Sequence, residues 1–117
     1  MEKRNFTRVT FSGGASIKYQ EQILWGNIEN VSLQGFFIKT KHDLPLNKPL
    51  EVTIYQSPSC SIYLHASVVR NDKDGLGMKI NELDVNSFVR LRDVVSQQCT
   101  DQTLIMHETY KMANCIN

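Results

Sequence analysis

The sequence predicts a mainly β protein, a closed barrel or a sandwich, with helix at its C-terminal end. The first observation behind this prediction is that six segments rich in β-branched and aromatic residues follow one another at short spacing, with turn residues between them. The second is that the hydrophobic period lengthens after the sixth segment, from the alternation of a strand to the spacing of a helix. Strands therefore come first along the chain, and helix follows.

The first three predicted strands cover residues 9–19, 23–32 and 35–40. The first alternates apolar and polar residues but is interrupted by Gly13 and Gly14. Glycine tolerates backbone conformations that other residues resist, so this pair predicts a bulge or a sharp bend. Barrels require such bends at their corners.

The last three predicted strands cover residues 50–55, 61–70 and 76–80. Residues 44–49 before them are predicted to be a loop, because proline cannot donate a hydrogen bond to a strand ladder. Residues 71–75 are polar and end in glycine, which predicts the turn of a hairpin between the last two strands.

A helix is predicted directly after the sixth strand. Its apolar residues at helical spacing are Val85, Phe88, Val89, Leu91 and Val95. Asp84 and Ser87 are both candidates for its N-cap. A second helix is expected over residues 101–112, with Thr100 as the candidate cap, although its apolar residues are less regularly spaced.

Composition excludes several classes of protein. The chain has 117 residues, 41% of them apolar, which is enough for the core of one domain. Its formal net charge is only +1, so coating of nucleic acid by bulk electrostatics is not expected. An anionic ligand must instead meet a local basic cluster.

The cysteines and the N-terminus point to a cytoplasmic protein. Cys60, Cys99 and Cys115 are odd in number and show no CxxC spacing, which predicts neither a disulfide framework nor a zinc site. No signal peptide and no apolar run long enough for a membrane span are recognised.

The patterns that would indicate an enzyme or a metal site are weak. His42, His65 and His107 lie in no metal-binding spacing. Asp72 and Asp74 share a polar turn and are expected to be solvated rather than catalytic. We therefore predict a protein without catalytic residues, metal or cofactor.

Two short segments are the candidates for binding. Arg4 and Arg8 form an R-x-x-x-R pattern with Lys3 beside them, which alone is typical of a solvated basic terminus. The segment from Asn30 to Gly35 reads N-x-S-x-x-G between two predicted strands, which alone is typical of a β-turn. Neither segment would indicate a site by itself.

Taken together, an R-x-x-x-R arm followed by a strand and then N-x-S-x-x-G resembles the PilZ domain family. Residues 68–80 are similar to the last hairpin of that family, and the predicted helix follows where the family has one. The resemblance covers roughly residues 3–95. It implies a six-stranded antiparallel β-barrel with a C-terminal helix or helices.

We expect the chain to be organised in three parts. Residues 1–8 would be a flexible basic arm, residues 9–98 the barrel with its helix, and residues 99–117 a helical extension. That last segment lies outside the resemblance, so its role is left open.

PilZ domains are receptors for cyclic di-GMP (c-di-GMP), a bacterial second messenger, and the resemblance implies that ligand here. Lys3 stands where many members have an additional arginine. The residues expected to bind the ligand are Lys3, Arg4, Arg8, Asn30, Ser32, Gly35 and, as a further contact, Arg70.

The expected function is non-catalytic sensing, in which binding orders the arm and presents a surface to an unidentified output protein that controls motility or biofilm formation. Two alternatives stay open: a PilZ-like scaffold that binds only protein, and a small barrel that binds single-stranded nucleic acid. The second would need aromatic residues interleaved with a basic face.

Overall fold

The computed structural model describes residues 6–117, which contain six strands, two α-helices and a short 3₁₀ helix. The strands are β1 (Val9–Tyr19), β2 (Gln22–Val31), β3 (Gly35–Lys39), β4 (Pro49–Ser57), β5 (Cys60–Asp72) and β6 (Gly75–Leu83). The helices are α1 (Val85–Gln98), α2 (Gln102–Lys111) and the 3₁₀ helix Ala113–Cys115. The predicted six-stranded antiparallel barrel with C-terminal helices is confirmed.

The barrel closes because β1 pairs on both of its sides. The strands follow the order β1-β2-β3-β6-β5-β4, and the second half of β1 also pairs with β4, from Ala15 opposite Ile54 to Lys18 opposite Glu51. The pairing of β1 with β2 shifts register between Thr10 and Gly13, which confirms the bulge predicted from the two glycines.

The interior of the barrel is filled by its own side chains. Inward positions alternate along each strand, so Leu50, Val52 and Ile54 are all buried, as their spacing predicted. Helix α1 covers one end, where Leu91 and Val94 meet the barrel lining across a gap with no room for a water molecule. This gap therefore has no room for a ligand.

The last hairpin is longer than its sequence predicted. Strand β5 continues to Asp72 and β6 begins at Gly75, so the turn is two residues long rather than the five of residues 71–75. The polar residues Asn71 and Asp72 pair in the ladder with Leu76 and Gly75, and both stay exposed to water. Pro49, expected in a loop, opens β4, a position where proline is tolerated.

The helix caps confirm one prediction and correct another. Asp84 caps α1, since its Oδ1 accepts the backbone N–H of Ser87 at 2.6 Å. Thr100 was the wrong residue for α2, because Asp101 Oδ1 accepts the N–H of Leu104 at 3.0 Å. Threonine and aspartate both cap helices well. Which of the neighbours Thr100 and Asp101 caps α2 therefore depends on where the first turn of the helix begins.

The C-terminal segment packs on the same core as the barrel. Ile105 and Met112 are buried, and Ile116 forms a bridge to Leu83 at the end of β6. The N–H of Asn117 also donates to the carbonyl of Leu83 at 2.9 Å. Within residues 6–117, none of the helices is long and apolar enough to cross a membrane.

Replacing the cap of α2 provides a test of this assignment. Asp101→Ala is expected to lower the free energy of unfolding by about 1 kcal/mol, because an N–H of the first turn loses its acceptor. Thr100→Ala is the matched control and should leave stability within about 0.5 kcal/mol. Urea unfolding followed by circular dichroism measures both, and an equal or larger loss in Thr100→Ala would contradict the assignment.

Candidate ligand-binding surface

A line of five residues crosses the outer face of the barrel at one level. Thr10 pairs with Asn30, Asn30 with Phe37, Phe37 with Gly77, and Gly77 with Arg70. We call these five residues the cross-strand row, and none of them is buried. Adjacent strands lie about 4.8 Å apart, so Asn30 and Arg70 are about 14 Å apart along the sheet. The register thus brings these two predicted site residues onto one surface.

The guanidinium group of Arg70 is oriented by its neighbours in the row. Its Nε donates to Oδ2 of Asp72 at 2.9 Å, and its Cζ lies 5.9 Å from the centre of the Phe37 ring. Gly77 lies beneath it, where a Cβ atom would stand 3.7 Å from Nε. Because Asp72 accepts the hydrogen bond from Nε, the two terminal amino groups of the guanidinium are the donors best placed for the acceptor atoms of a ligand. Sequence reasoning missed Phe37 and Asp72, although the alternation of β3 turns Phe37 outward.

The turn after β2 is held by Ser32. Its Oγ accepts the N–H groups of Gln34 at 3.2 Å and Gly35 at 3.1 Å, and its own N–H donates to the carbonyl of Gly35 at 2.8 Å. The residue is only 5% exposed. Its hydroxyl therefore shapes the turn from within and does not stand on the outer surface beside Asn30.

Gly35 is required by the close approach of β6. A Cβ atom at this position would lie 2.2 Å from the carbonyl oxygen of Met78, which is backbone and has little freedom to move. The N–H of Ile80 also donates to the carbonyl of Gln34 at 2.7 Å, so the turn and β6 are joined directly. Among the glycines of residues 6–117, none has a positive φ, so spacing and not backbone conformation explains Gly35.

Arg8 lies at the same edge of the barrel as this turn. It is exposed and directly precedes Val9, which pairs with Val31, the residue before Ser32. Since side chains alternate along a strand, Arg8 shares its face with Thr10 at the end of the cross-strand row. Lys3 and Arg4 lie outside the residues that the structure describes.

The described part of the arm is anchored to the C-terminal helices. Phe6 is buried, with Nζ of Lys111 lying 5.6 Å from the centre of its ring. The next residue, Thr7, donates to the carboxylate of Glu108, 101 positions away in sequence. No local pattern predicts a contact across that separation, so sequence reasoning missed it.

Two groups with perturbed pKa values, Glu51 and Tyr63, lie away from the row. A hydrogen bond from the Tyr63 hydroxyl, together with the charge of Lys18, lowers the pKa of Glu51, and the same hydrogen bond raises the pKa of Tyr63. Tyr63 is about 23 Å from Arg70 along β5. Within residues 6–117, no three His, Cys, Asp or Glu side chains are grouped so that they could hold a metal ion.

Comparison with known proteins places the chain in a family. The PilZ domain profile matches residues 2–97, and the chain belongs to the PilZ domain family. No curated protein sequence matches it.

Solved structures share the fold at low sequence identity. Inhibitor of motility (MotI/DgrA) from Bacillus subtilis matches with a TM-score of 0.68 at 17% identity, over 84% of this chain and 51% of that one. YcgR from Escherichia coli, solved in complex with c-di-GMP, matches with a TM-score of 0.68 at 11% identity, over 97% of this chain and 50% of that one. The PilZ domain of CeSA from a cellulose-synthesizing bacterium matches with a TM-score of 0.60 at 16% identity, over 76% of this chain and 94% of that one. The chain thus spans about half the length of MotI and YcgR.

The close approach at Gly35 predicts a large effect of one methyl group. Gly35→Ala should lower the free energy of unfolding by about 1–3 kcal/mol or more, because β6 must move away from the turn. Gly14→Ala is the matched control in a strand, since nothing lies within 4 Å of a Cβ atom there. It should be neutral or stabilising by up to about 1 kcal/mol. Chemical denaturation measures both, and equal stability of the two variants would refute the steric explanation.

Proposed function

We propose that the chain is a non-catalytic receptor that binds c-di-GMP across the arm and the cross-strand row. The observation that carries this proposal is that, in a member of the PilZ family, the strand register brings Arg8 and Asn30 to the same edge of the barrel. The solved structure of YcgR as a c-di-GMP complex, with the same fold, supports the choice of ligand.

The arm suits the chemistry of this ligand. Guanine presents O6 and N7 as adjacent acceptors, and an arginine meets them with two parallel N–H donors. The same side chain also pairs with phosphate or stacks on a base. In our proposal Arg4 and Arg8 share these contacts between a base and a phosphate, while Lys3 adds charge without the planar fork of arginine.

The barrel contributes the other side of the site. Asn30 has both a donor and an acceptor for a guanine edge. Arg70, about 14 Å away across the row, adds a contact to the second base or to a phosphate through its terminal amino groups. In this proposal Ser32 and Gly35 act through the shape of the turn, which agrees with the buried hydroxyl and the close approach of β6.

In this proposal binding orders the basic arm against the barrel. Phe6 is buried and Thr7 is hydrogen-bonded to Glu108, so these two residues anchor the arm. The ordered arm would present a new surface to an output protein in the cytoplasm. MotI is described as an inhibitor of motility, so we propose motility as the process to examine first.

Calorimetry tests the proposed ligand site directly. Arg4→Ala and Arg8→Ala should each weaken c-di-GMP binding at least about tenfold, because a hydrogen bond to a charged group contributes about 1.5–3 kcal/mol. Lys18→Ala is the control, since it removes a cation from the opposite end of the same strand as Thr10 and should not change affinity. Full retention of binding in the Arg4→Ala, Arg8→Ala double variant would sink the proposal.

An exposed aromatic pair favours the nucleic-acid alternative, but the acidic residues on the same face argue against that alternative. Trp25 and Tyr55 stack on the outer face with ring centres 5.9 Å apart, and Trp25 is 62% exposed, which suits stacking with a base. Glu51 on β4 and Glu82 on β6 both lie opposite His65 of the intervening β5, with Glu51 paired to Lys18 and Glu82 to His65. This face is therefore not the basic groove that a nucleic-acid backbone requires.

A thermal-shift panel separates the three functions. c-di-GMP at 100 times its dissociation constant should stabilise the fold by about 2.7 kcal/mol. A short single-stranded oligonucleotide and GTP at the same concentration should give no shift. A shift with the oligonucleotide alone would favour the nucleic-acid alternative, and no shift with any ligand would favour a scaffold that binds only protein.

A further inference from the structure

Glu108 is a carboxylate buried on the inner face of α2, where it is only 2% exposed. The backbone N–H of Thr7 donates to Oε1 and Oε2, each at 3.0 Å, and the Thr7 hydroxyl donates to Oε2 at 2.7 Å. Both oxygens are thus used by one residue of the arm. Among residues 6–117, no buried side-chain polar atom is left without a hydrogen-bond partner.

A buried carboxylate at this position is less favourable in free energy than an apolar side chain of similar size. Burying a charged group costs free energy unless hydrogen bonds replace its hydration, and an apolar side chain would pack against a core without that cost. The carboxylate accepts hydrogen bonds from both the backbone N–H and the hydroxyl of Thr7. Because hydrogen bonds are directional, these contacts fix the position of Thr7. The arrangement therefore indicates a positioning role more than a packing role.

A second contact anchors the chain on the other side of Arg8. The side-chain amide of Gln98, the last residue of α1, donates to the carbonyl of Thr10. Val9 is buried between the two anchors. The backbone is therefore held on both sides of Arg8, which lowers the entropy lost when a ligand binds.

We infer that Glu108 is a positioning residue for the ligand site: by holding Thr7 it preorganises Arg8 toward the cross-strand row. This inference rests on the proposed binding of c-di-GMP. The residues that supply the two anchors, Gln98 and Glu108, lie beyond the segment 2–97 that matches the PilZ domain. The C-terminal helix thus adds to the ligand site a support that the matched part of the chain does not contain.

Glu108→Gln tests the inference in the full chain, because glutamine keeps the volume but loses the charge and one acceptor. We expect the affinity for c-di-GMP to fall about five- to thirty-fold, the range set by ordering the backbone of one residue. Thr7→Val should weaken binding in the same direction, because it removes the hydroxyl. Thr7→Ser keeps the hydroxyl and should bind like the unmodified chain.

A double-mutant cycle separates positioning from general damage to the fold. If Glu108 acts through Arg8, then Glu108→Gln should have little further effect on binding when Arg8→Ala is already present. Ile116→Ala is the control, because it removes a side chain that packs against the core near the C-terminus and leaves the contact with Thr7 in place. It should lower the melting temperature without changing affinity.

The binding results distinguish a failure of the positioning role of Glu108 from a failure of the proposed function. Unchanged or tighter binding by Glu108→Gln, or an equal loss with and without Arg8, overturns the positioning role while the proposed function stands. If the unmodified chain does not bind c-di-GMP, both ideas fall together. If Glu108→Gln does not fold, the comparison of Thr7→Val with Thr7→Ser decides, and equal affinities of those two variants overturn the inference.

Discussion

The pairing of β1 with β4 is the interaction on which the rest of the structure depends. It turns a six-stranded sheet into a barrel without free edges, and it forces the inward residues of every strand into one filled core. The gap between this core and α1 has no room for a ligand, and the site that we propose lies on the outer face. Closure also holds β1 in place along its second half, so that its first half can serve as the support for the arm.

Antiparallel register then turns the outer face into a candidate site. Asn30 and Arg70 are far apart in sequence, but the pairings through Phe37 and Gly77 bring them into one row. The same close packing explains Gly35, since its hydrogen atom faces the carbonyl of Met78 where any side chain would clash. The backbone contacts that build the barrel are thus also the ones that shape the proposed site.

The C-terminal segment extends beyond the residues that match the PilZ domain profile. The barrel is recognisable at 11–17% identity to solved structures, which means that many side chains can change while the topology is kept. Helix α2 lies beyond the family match, yet it packs on the same core and contacts the arm through Glu108. In our proposal this segment outside the matched domain supports the ligand site.

The sequence by itself determined the six strands, the helix after them and the bulge at Gly13. It also determined the short motifs around Arg8 and Asn30. Each of these features depends on the pattern of residues close together in the chain. Only the tertiary structure decided that Ser32 turns its hydroxyl inward and that Asp101 caps α2, since the sequence offered equally good local alternatives. The contact of Thr7 with Glu108 had no local signal at all. Hydrophobic period and turn chemistry act over a few residues, whereas contacts between distant segments depend on how the finished elements pack.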